Sequence, residues 1–116
     1  MTRVYFDYLS KISWKGLLYR RLIVYPIIRR YCKGTVLDVG CGMGQFVKHC
    51  HGSKGVDINN DCVEFCQKHG LDVVKMENDR LPFEDNSFDT LVLDNVLEHI
   101  MDPLPLLHEC RRVLTR

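Results

Sequence analysis

The feature that most constrains this chain is an apolar strand running straight into three alternate glycines. Val36-Leu37-Asp38-Val39 carries a single polar side chain, and Gly40-Cys41-Gly42-Met43-Gly44 follows at once. Alternate glycines strip the Cβ atoms from one bend, so backbone N–H groups and the start of the next helix can approach a ligand closely. The spacing is not the dinucleotide fingerprint, because the third glycine falls one position early and Gln45 stands where that pattern has Gly or Ala. No Lys-Ser/Thr pair follows, which excludes a P-loop.

Downstream, β-rich runs at residues 35–39, 54–58, 71–75 and 88–93 alternate with helix-length segments at 44–51, 60–69 and 103–114. This alternation predicts an α/β chain with a parallel sheet. Phe88-Asp89-Thr90-Leu91-Val92-Leu93 is nearly continuous apolar with one early acid, as expected of a strand buried on both faces. Pro82, Asp85, Asn86 and Ser87 mark the loop that precedes it.

The 116 residues, 46% of them apolar, leave room for one domain, read as a basic amphipathic helical lead-in at 1–33 and an α/β part at 34–116. In the lead-in, Leu9, Ile12, Leu17, Leu18, Leu22, Ile23, Pro26 and Ile27 recur at helical spacing and predict one apolar side. Gly16 and Pro26 predict breaks within it, and Lys33-Gly34 its end. The overall charge of +1 hides an asymmetry: residues 1–33 hold eight Lys/Arg against Asp7 alone, and the rest holds eight against fourteen acids. Such a basic front either meets an anionic partner or packs on the acidic body, the second being the plainer reading.

The six cysteines show no Cys-x-x-Cys or paired Cys/His spacing, so neither a disulfide framework nor a metal site is expected. Residues 1–9 lack the apolar run of a signal peptide, which suggests free thiols in a reducing, cytoplasmic compartment. The stretch from Leu17 to Ile28 carries Arg20 and Arg21 and is too short to span a bilayer, although peripheral contact with a membrane stays open.

Asp57 ends the second strand, seventeen residues after Gly40, where doubly wound folds place an acid against ribose hydroxyls. A plain turn or helix-capping role is its alternative. Asp38 and Asp57 would frame the pocket with no Lys or Arg inside the glycine turn, which favours a cationic or neutral nucleoside over a pyrophosphate.

Taken in order, Asp38-x-Gly40-x-Gly42-x-Gly44, Asp57, the run from Glu77 through Leu81-Pro82-Phe83 to Ser87-Phe88-Asp89, and Val96-Leu97-Glu98-His99-Ile100-x-Asp102-Pro103 resemble the class I S-adenosylmethionine-dependent methyltransferases, in the branch acting on small molecules. The resemblance runs from about Gly34 to Arg116. It implies a Rossmann-like fold, here truncated to about four strands in the order 3-2-1-4, and S-adenosylmethionine as cofactor. It implies that Gly40, Cys41 and Gly42 lie under the methionine end, with Asp38 reaching its amino group. Asp57 would take the ribose hydroxyls and Ile58 would pack on the adenine. Glu77, where the family has Asp, and the Asn78 backbone would meet the adenine amino group. Asp94 and Asn95 would close the pocket near the sulfonium. Leu81-Pro82-Phe83 and Ser87-Phe88-Asp89 read as packing and turn residues, and Cys41 and Met43 as spacers offering backbone groups rather than redox atoms. His99 is a weak candidate for a general base, a solvated residue being its plainer reading.

The family continues past a segment like Glu109–Leu114 with a fifth strand and an antiparallel pair, so the fourth strand is expected to present a bare edge open to another chain. Three functions follow. The first is a methyltransferase, or its cofactor-binding fragment, acting on a small-molecule acceptor, an acidic one if the basic front steers it. The second is a non-catalytic cofactor-binding remnant or docking module. The third is a fragment of a nucleotide-binding oxidoreductase. Nucleic acid is a weaker partner, since no aromatic stacking platform is evident among the basic helices beyond Tyr5, Phe6, Tyr8 and Trp14.

Overall fold

The computed structural model describes residues 13–116, so the readings on Tyr5, Phe6, Tyr8, Leu9 and Ile12 lie outside the described residues. Ser13 opens the first helix, its Oγ accepting from the Gly16 N–H at 3.2 Å. The helix runs as α1 (Trp14–Tyr19), a π-helical turn (Arg20–Val24) and α2 (Tyr25–Tyr31). The breaks expected at Gly16 and Pro26 do not occur. Pro26 has no N–H to donate, and its ring would press on the carbonyl four residues back in a regular α-helix. The preceding turn widens instead, and the Tyr25 N–H reaches back to the Arg20 carbonyl. The helix stops at Tyr31, and Gly34 then adopts φ +61, where a Cβ would collide with the Asp89 carboxylate.

The side this helix buries matches the predicted one only in part, at the half-buried Leu17 and Pro26. Tyr25 is buried, with Val24, Ile28 and Cys32 packed beside it, while Leu18, Leu22, Ile23 and Ile27 stay exposed. The π turn adds a residue to the register between the two α-helical parts.

The sheet is parallel throughout, in the order β3-β2-β1-β4, as expected. Its strands are β1 (Val36–Val39), β2 (Lys54–Asp57), β3 (Val73–Lys75) and β4 (Thr90–Val92). Between them lie α3 (Gln45–His49) and α4 (Asn60–Lys68), and a 3-10 turn (Leu97–His99) leads to α5 (Leu104–Val113). Each strand is shorter than its sequence run, and for β3 and β4 the local reason is visible. Leu71 still donates to the Cys66 carbonyl behind the left-handed Gly70, so β3 starts late. Asp89 bends the start of β4 because its carboxylate accepts from the Thr35 N–H at 2.9 Å.

All four residues of β1 are buried, and their alternation sorts the core into two faces. Leu37 and Val39 pack with Leu106, Cys110 and Val113 of α5 and with Met76, Leu81 and Phe88. Val36 faces the opposite way, against Tyr25, Phe46, Cys50 and Val92. Asp38 shares the Val36 parity, which turns its carboxyl toward the N-terminal helix. Val47, Val63, Cys66 and Val73 fill the flank under α4, together with Cys41.

Leu81 and Phe88 take the packing role expected of them, and Phe83 stands edge-on to Phe88 with ring centroids 4.9 Å apart. Arg112 fixes the loop that holds them, donating to the carbonyls of Leu81 and Phe83 and to the carboxylates of Asp85 and Glu109. The expected bare edge of the fourth strand is covered at its start: after α5 the chain returns, and Leu114 bridges Phe88 in parallel while the Thr115 N–H reaches the Phe88 carbonyl at 2.8 Å. Among the described residues no helix is long and apolar enough to cross a membrane.

Candidate functional site

The C-terminal ends of β1 and β4 open onto a cavity of about 410 Å³, roofed by the N-terminal helix. Its floor is the glycine turn. Gly40 and Gly42 have φ +74 and +57, and Gly44, which caps the start of α3, has φ +77. These left-handed conformations are open to glycine and strained for other residues. Two N–H bonds to the Val56 carbonyl, from Gly40 at 2.8 Å and from Cys41 at 3.0 Å, tie the turn to β2. A Cβ on Gly40 would stand 2.7 Å from Val96, and one on Gly44 would stand 2.6 Å from Leu71, so the bend is closely packed as well as bare.

Asp57 braces this turn from below. Its Oδ2 accepts from the Gly42 N–H and its Oδ1 from the Asn59 N–H, each at 2.8 Å, and the residue is 5% exposed. Burial raises its pKa, while the backbone donors of Asn59, Gly42 and Ile58 pull it back down. The turn role that the sequence allowed for Asp57 is therefore present in the structure, and Asp57 stands behind the glycine turn, outside the residues that line the cavity. The helix cap itself belongs to Asn59, whose side chain accepts from the N–H groups of Asp61 and Cys62.

Asp38 lines the cavity with only 4% exposure. Burial pushes its carboxyl up to about 7, helped by the Asp57 charge and opposed by Arg20. Arg20 reaches in from the π turn. It pairs with Asp94, donates to the Tyr25 hydroxyl at 3.2 Å and lies over the Tyr25 ring. Among the residues lining the cavity it is the one cation, facing Asp38 and Asp94.

Of the residues singled out from sequence, the structure brings Asp38, Gly40, Cys41, Gly42, Asp94 and Asn95 onto this cavity. Ile58, half exposed, stands at the end of β2 beyond its described lining. Glu77 pairs with Lys75 at 3.5 Å, and Asn78 sits beside it in a left-handed turn at φ +51. His99 is exposed on the 3-10 turn, away from the cavity. Sequence reasoning missed Arg20, Tyr25 and Phe65 in the lining. Arg20 was visible only as one cation of a basic segment, and the turn that aims it depends on Pro26.

The methyltransferase-domain family matches residues 37–116, which include the turn, the sheet and α5. The chain belongs to that family. The methyltransferase domain takes S-adenosylmethionine as its cofactor. A SAM-dependent methyltransferase of Thermotoga maritima superposes with a TM-score of 0.81 at 25% identity, covering 100% of this chain and 57% of that one. Over 90 residues the domain is 37% identical to Probable phthiotriol/phenolphthiotriol dimycocerosates methyltransferase 2 of Mycobacterium ulcerans, covering 68% of this chain and 34% of that protein. It is 30% identical over 83 residues to Probable tRNA methyltransferase 9B of Mus musculus, covering 65% of this chain and 18% of the mouse protein. The methyltransferase domain described here thus spans less than half the length of the curated relatives it matches.

The cavity fits this cofactor. Its volume lies within the ~300–1,000 Å³ of small-molecule pockets. The bare turn admits a close approach, and two carboxylates and one guanidinium suit an amino-acid end bearing both an ammonium and a carboxylate.

Proposed function

We propose that the protein transfers a methyl group from S-adenosylmethionine to a small-molecule acceptor carrying negative charge, in a reducing cytoplasmic compartment. The observation that carries this reading is the single cavity in which the glycine turn, Asp38, Asp94 and Arg20 converge. The cofactor brings its own activated leaving group, a methyl on a sulfonium. The protein's part is therefore binding and alignment, and holding an acceptor in line contributes several kcal/mol without any enzyme nucleophile.

In this reading the Asp38 carboxylate holds the cofactor ammonium and Arg20 its carboxylate. Gly40, Cys41 and Gly42 lie beneath the methionine chain, and Asp57 accepts from the ribose hydroxyls. Ile58 packs on the adenine, with Glu77 and Asn78 at its edge. Asp94 and Asn95 bound the space where the acceptor meets the methyl. The described cations Lys15, Arg21, Arg29 and Arg30 ride on the roof helix and would draw in an acidic acceptor. The name of the mycobacterial relative supports an acceptor that is not a nucleic acid, and that of the mouse relative supports a tRNA.

Titration calorimetry with S-adenosylhomocysteine and with 5′-methylthioadenosine, which lacks the amino-acid end, tests the assignment. The wild type is expected to bind both. Asp57→Ala should weaken both by about 1–3 kcal/mol through lost charge-assisted hydrogen bonds. Arg20→Met should weaken S-adenosylhomocysteine alone, by about tenfold. A wild-type chain that binds neither ligand would end the proposal.

A further inference from the structure

Two buried thiols meet under the floor of the cavity. Cys41 Sγ and Cys66 Sγ lie 4.0 Å and 3.4 Å from the same Gly42 carbonyl oxygen, one sulfur from the glycine turn and one from α4. Both belong to the apolar cluster of Val47, Val63 and Val73. Glycines on both sides make room for them: a Cβ at Gly55 would stand 2.9 Å from the Cys41 sulfur, and one at Gly44 would stand 2.8 Å from the Cys66 sulfur. Their exposure differs, because Cys41 lines the cavity while Cys66 is sealed at 0%. All six cysteines are free thiols.

We propose that Cys41 and Cys66 form an oxidation site at which a small hydroperoxide, entering the empty cavity, joins the two sulfurs in a disulfide that ties the glycine turn to α4 and shuts out the cofactor. The consequence for binding rests on the reading of the cavity as the cofactor site.

The chemistry balances with the peroxide as the only co-reactant. Cys41 sulfur attacks the terminal peroxide oxygen, the O–O bond breaks, an alcohol or water leaves, and Cys41 becomes a sulfenic acid. Cys66 sulfur then attacks the Cys41 sulfur, a second water leaves and the S–S bond forms. Two thiols have lost two electrons and two protons, and the peroxide has been reduced. Cys41 takes the first step because it faces the cavity, and Cys66 resolves it from below. Its neighbour Cys66, then burial and the Asp38 and Asp57 charges, push the Cys41 thiol up, while Cys41 draws the Cys66 thiol down, so Cys66 gives up the first proton and takes up the Cys41 proton as the Cys41 sulfur attacks. The sulfurs must draw together to about 2 Å. That moves the turn, and the Gly42 carbonyl loses its thiol donor. Bound cofactor covers Cys41, so occupied chains are protected.

The test is to treat the chain with hydrogen peroxide, with and without saturating S-adenosylhomocysteine, block the remaining thiols, digest with trypsin and map the peptides. Residues 34–48 carry Cys41 as their one cysteine, and residues 55–68 carry Cys62 and Cys66. The expected result is a link between these two peptides, with fragment ions placing it at Cys66. It should form less readily in the loaded chain and be reversed by dithiothreitol. The oxidised chain should bind S-adenosylhomocysteine about tenfold or more weakly. Cys66→Ser, which keeps a hydroxyl donor for the Gly42 carbonyl, should retain its affinity after peroxide. Cys62→Ser should still form the link. Peptides that stay unlinked, a link through Cys62, or an oxidised chain that binds as well as the reduced one would each overturn the proposal. A reduced chain that never binds the ligand would count against the cofactor reading, and the peptide map would still decide the disulfide.

Discussion

Asp38 places a carboxyl in the core at the cavity wall, where burial and the Asp57 charge push its pKa up to about 7. The folded chain therefore holds a proton that the unfolded chain releases at its ordinary value near 3.8, so this group's contribution to stability falls as pH rises from there through about 7. Asp38→Asn removes the titration. Its melting temperature, measured by scanning fluorimetry, should gain on the wild type between about pH 5 and pH 8, and a pH-independent difference would contradict this. Binding carries the opposite sign. An ammonium seated against Asp38 favours the ionised carboxylate, so S-adenosylhomocysteine affinity should increase from about pH 6 to pH 8 in the wild type and stay flatter in the variant. Gly44 is constrained differently, by a φ of +77 and by Leu71 and Cys66 lying where a Cβ would go. Gly44→Ala should cost about 1–3 kcal/mol in urea unfolding.

Among the elements, the helix from Trp14 to Tyr31 shows how one residue redirects a whole segment. Its hydrophobic spacing alone predicted one burial face holding Leu17, Leu18, Leu22, Ile23, Pro26 and Ile27, of which only Leu17 and Pro26 are half-buried. The π turn ahead of Pro26 instead buries Tyr25 and swings Arg20 over the cavity. Restoring a backbone donor with Pro26→Ala should let the turn relax toward α-helix and weaken S-adenosylhomocysteine binding while sparing 5′-methylthioadenosine, as read by calorimetry. At the other end of the chain, Arg112 satisfies the Leu81 and Phe83 carbonyls, which pins the 77–89 loop to α5. Arg112→Ala should lower stability by about 1–3 kcal/mol and shift the urea midpoint, because those carbonyls lose their donor in partly buried surroundings.

Across the whole molecule, protection should follow sheet position. Amides of β1, paired on both sides and buried on both faces, should exchange slowest with deuterium. The roof helix, with its exposed apolar side, and the single bridge at Leu114 should exchange first. Sequence determined the alternating elements, their parallel character and the glycine turn, because apolar runs, element spacing and glycine placement are local properties, while the strand order came from the family resemblance. Asp38, inside β1, was marked by the glycine turn that follows it, and Asp94 and Asn95 by the resemblance to the methyltransferase family. Tertiary structure alone decided that Asp57 supports the turn through Gly42 and Asn59, that Arg20 pairs with Asp94 across more than half the chain, and that Cys41 and Cys66 share the Gly42 carbonyl beneath the floor. Those pairings depend on the angle at which a helix crosses a sheet and on which lone pairs a backbone N–H reaches first. Both are set by packing among residues distant in sequence, and no local spacing records them.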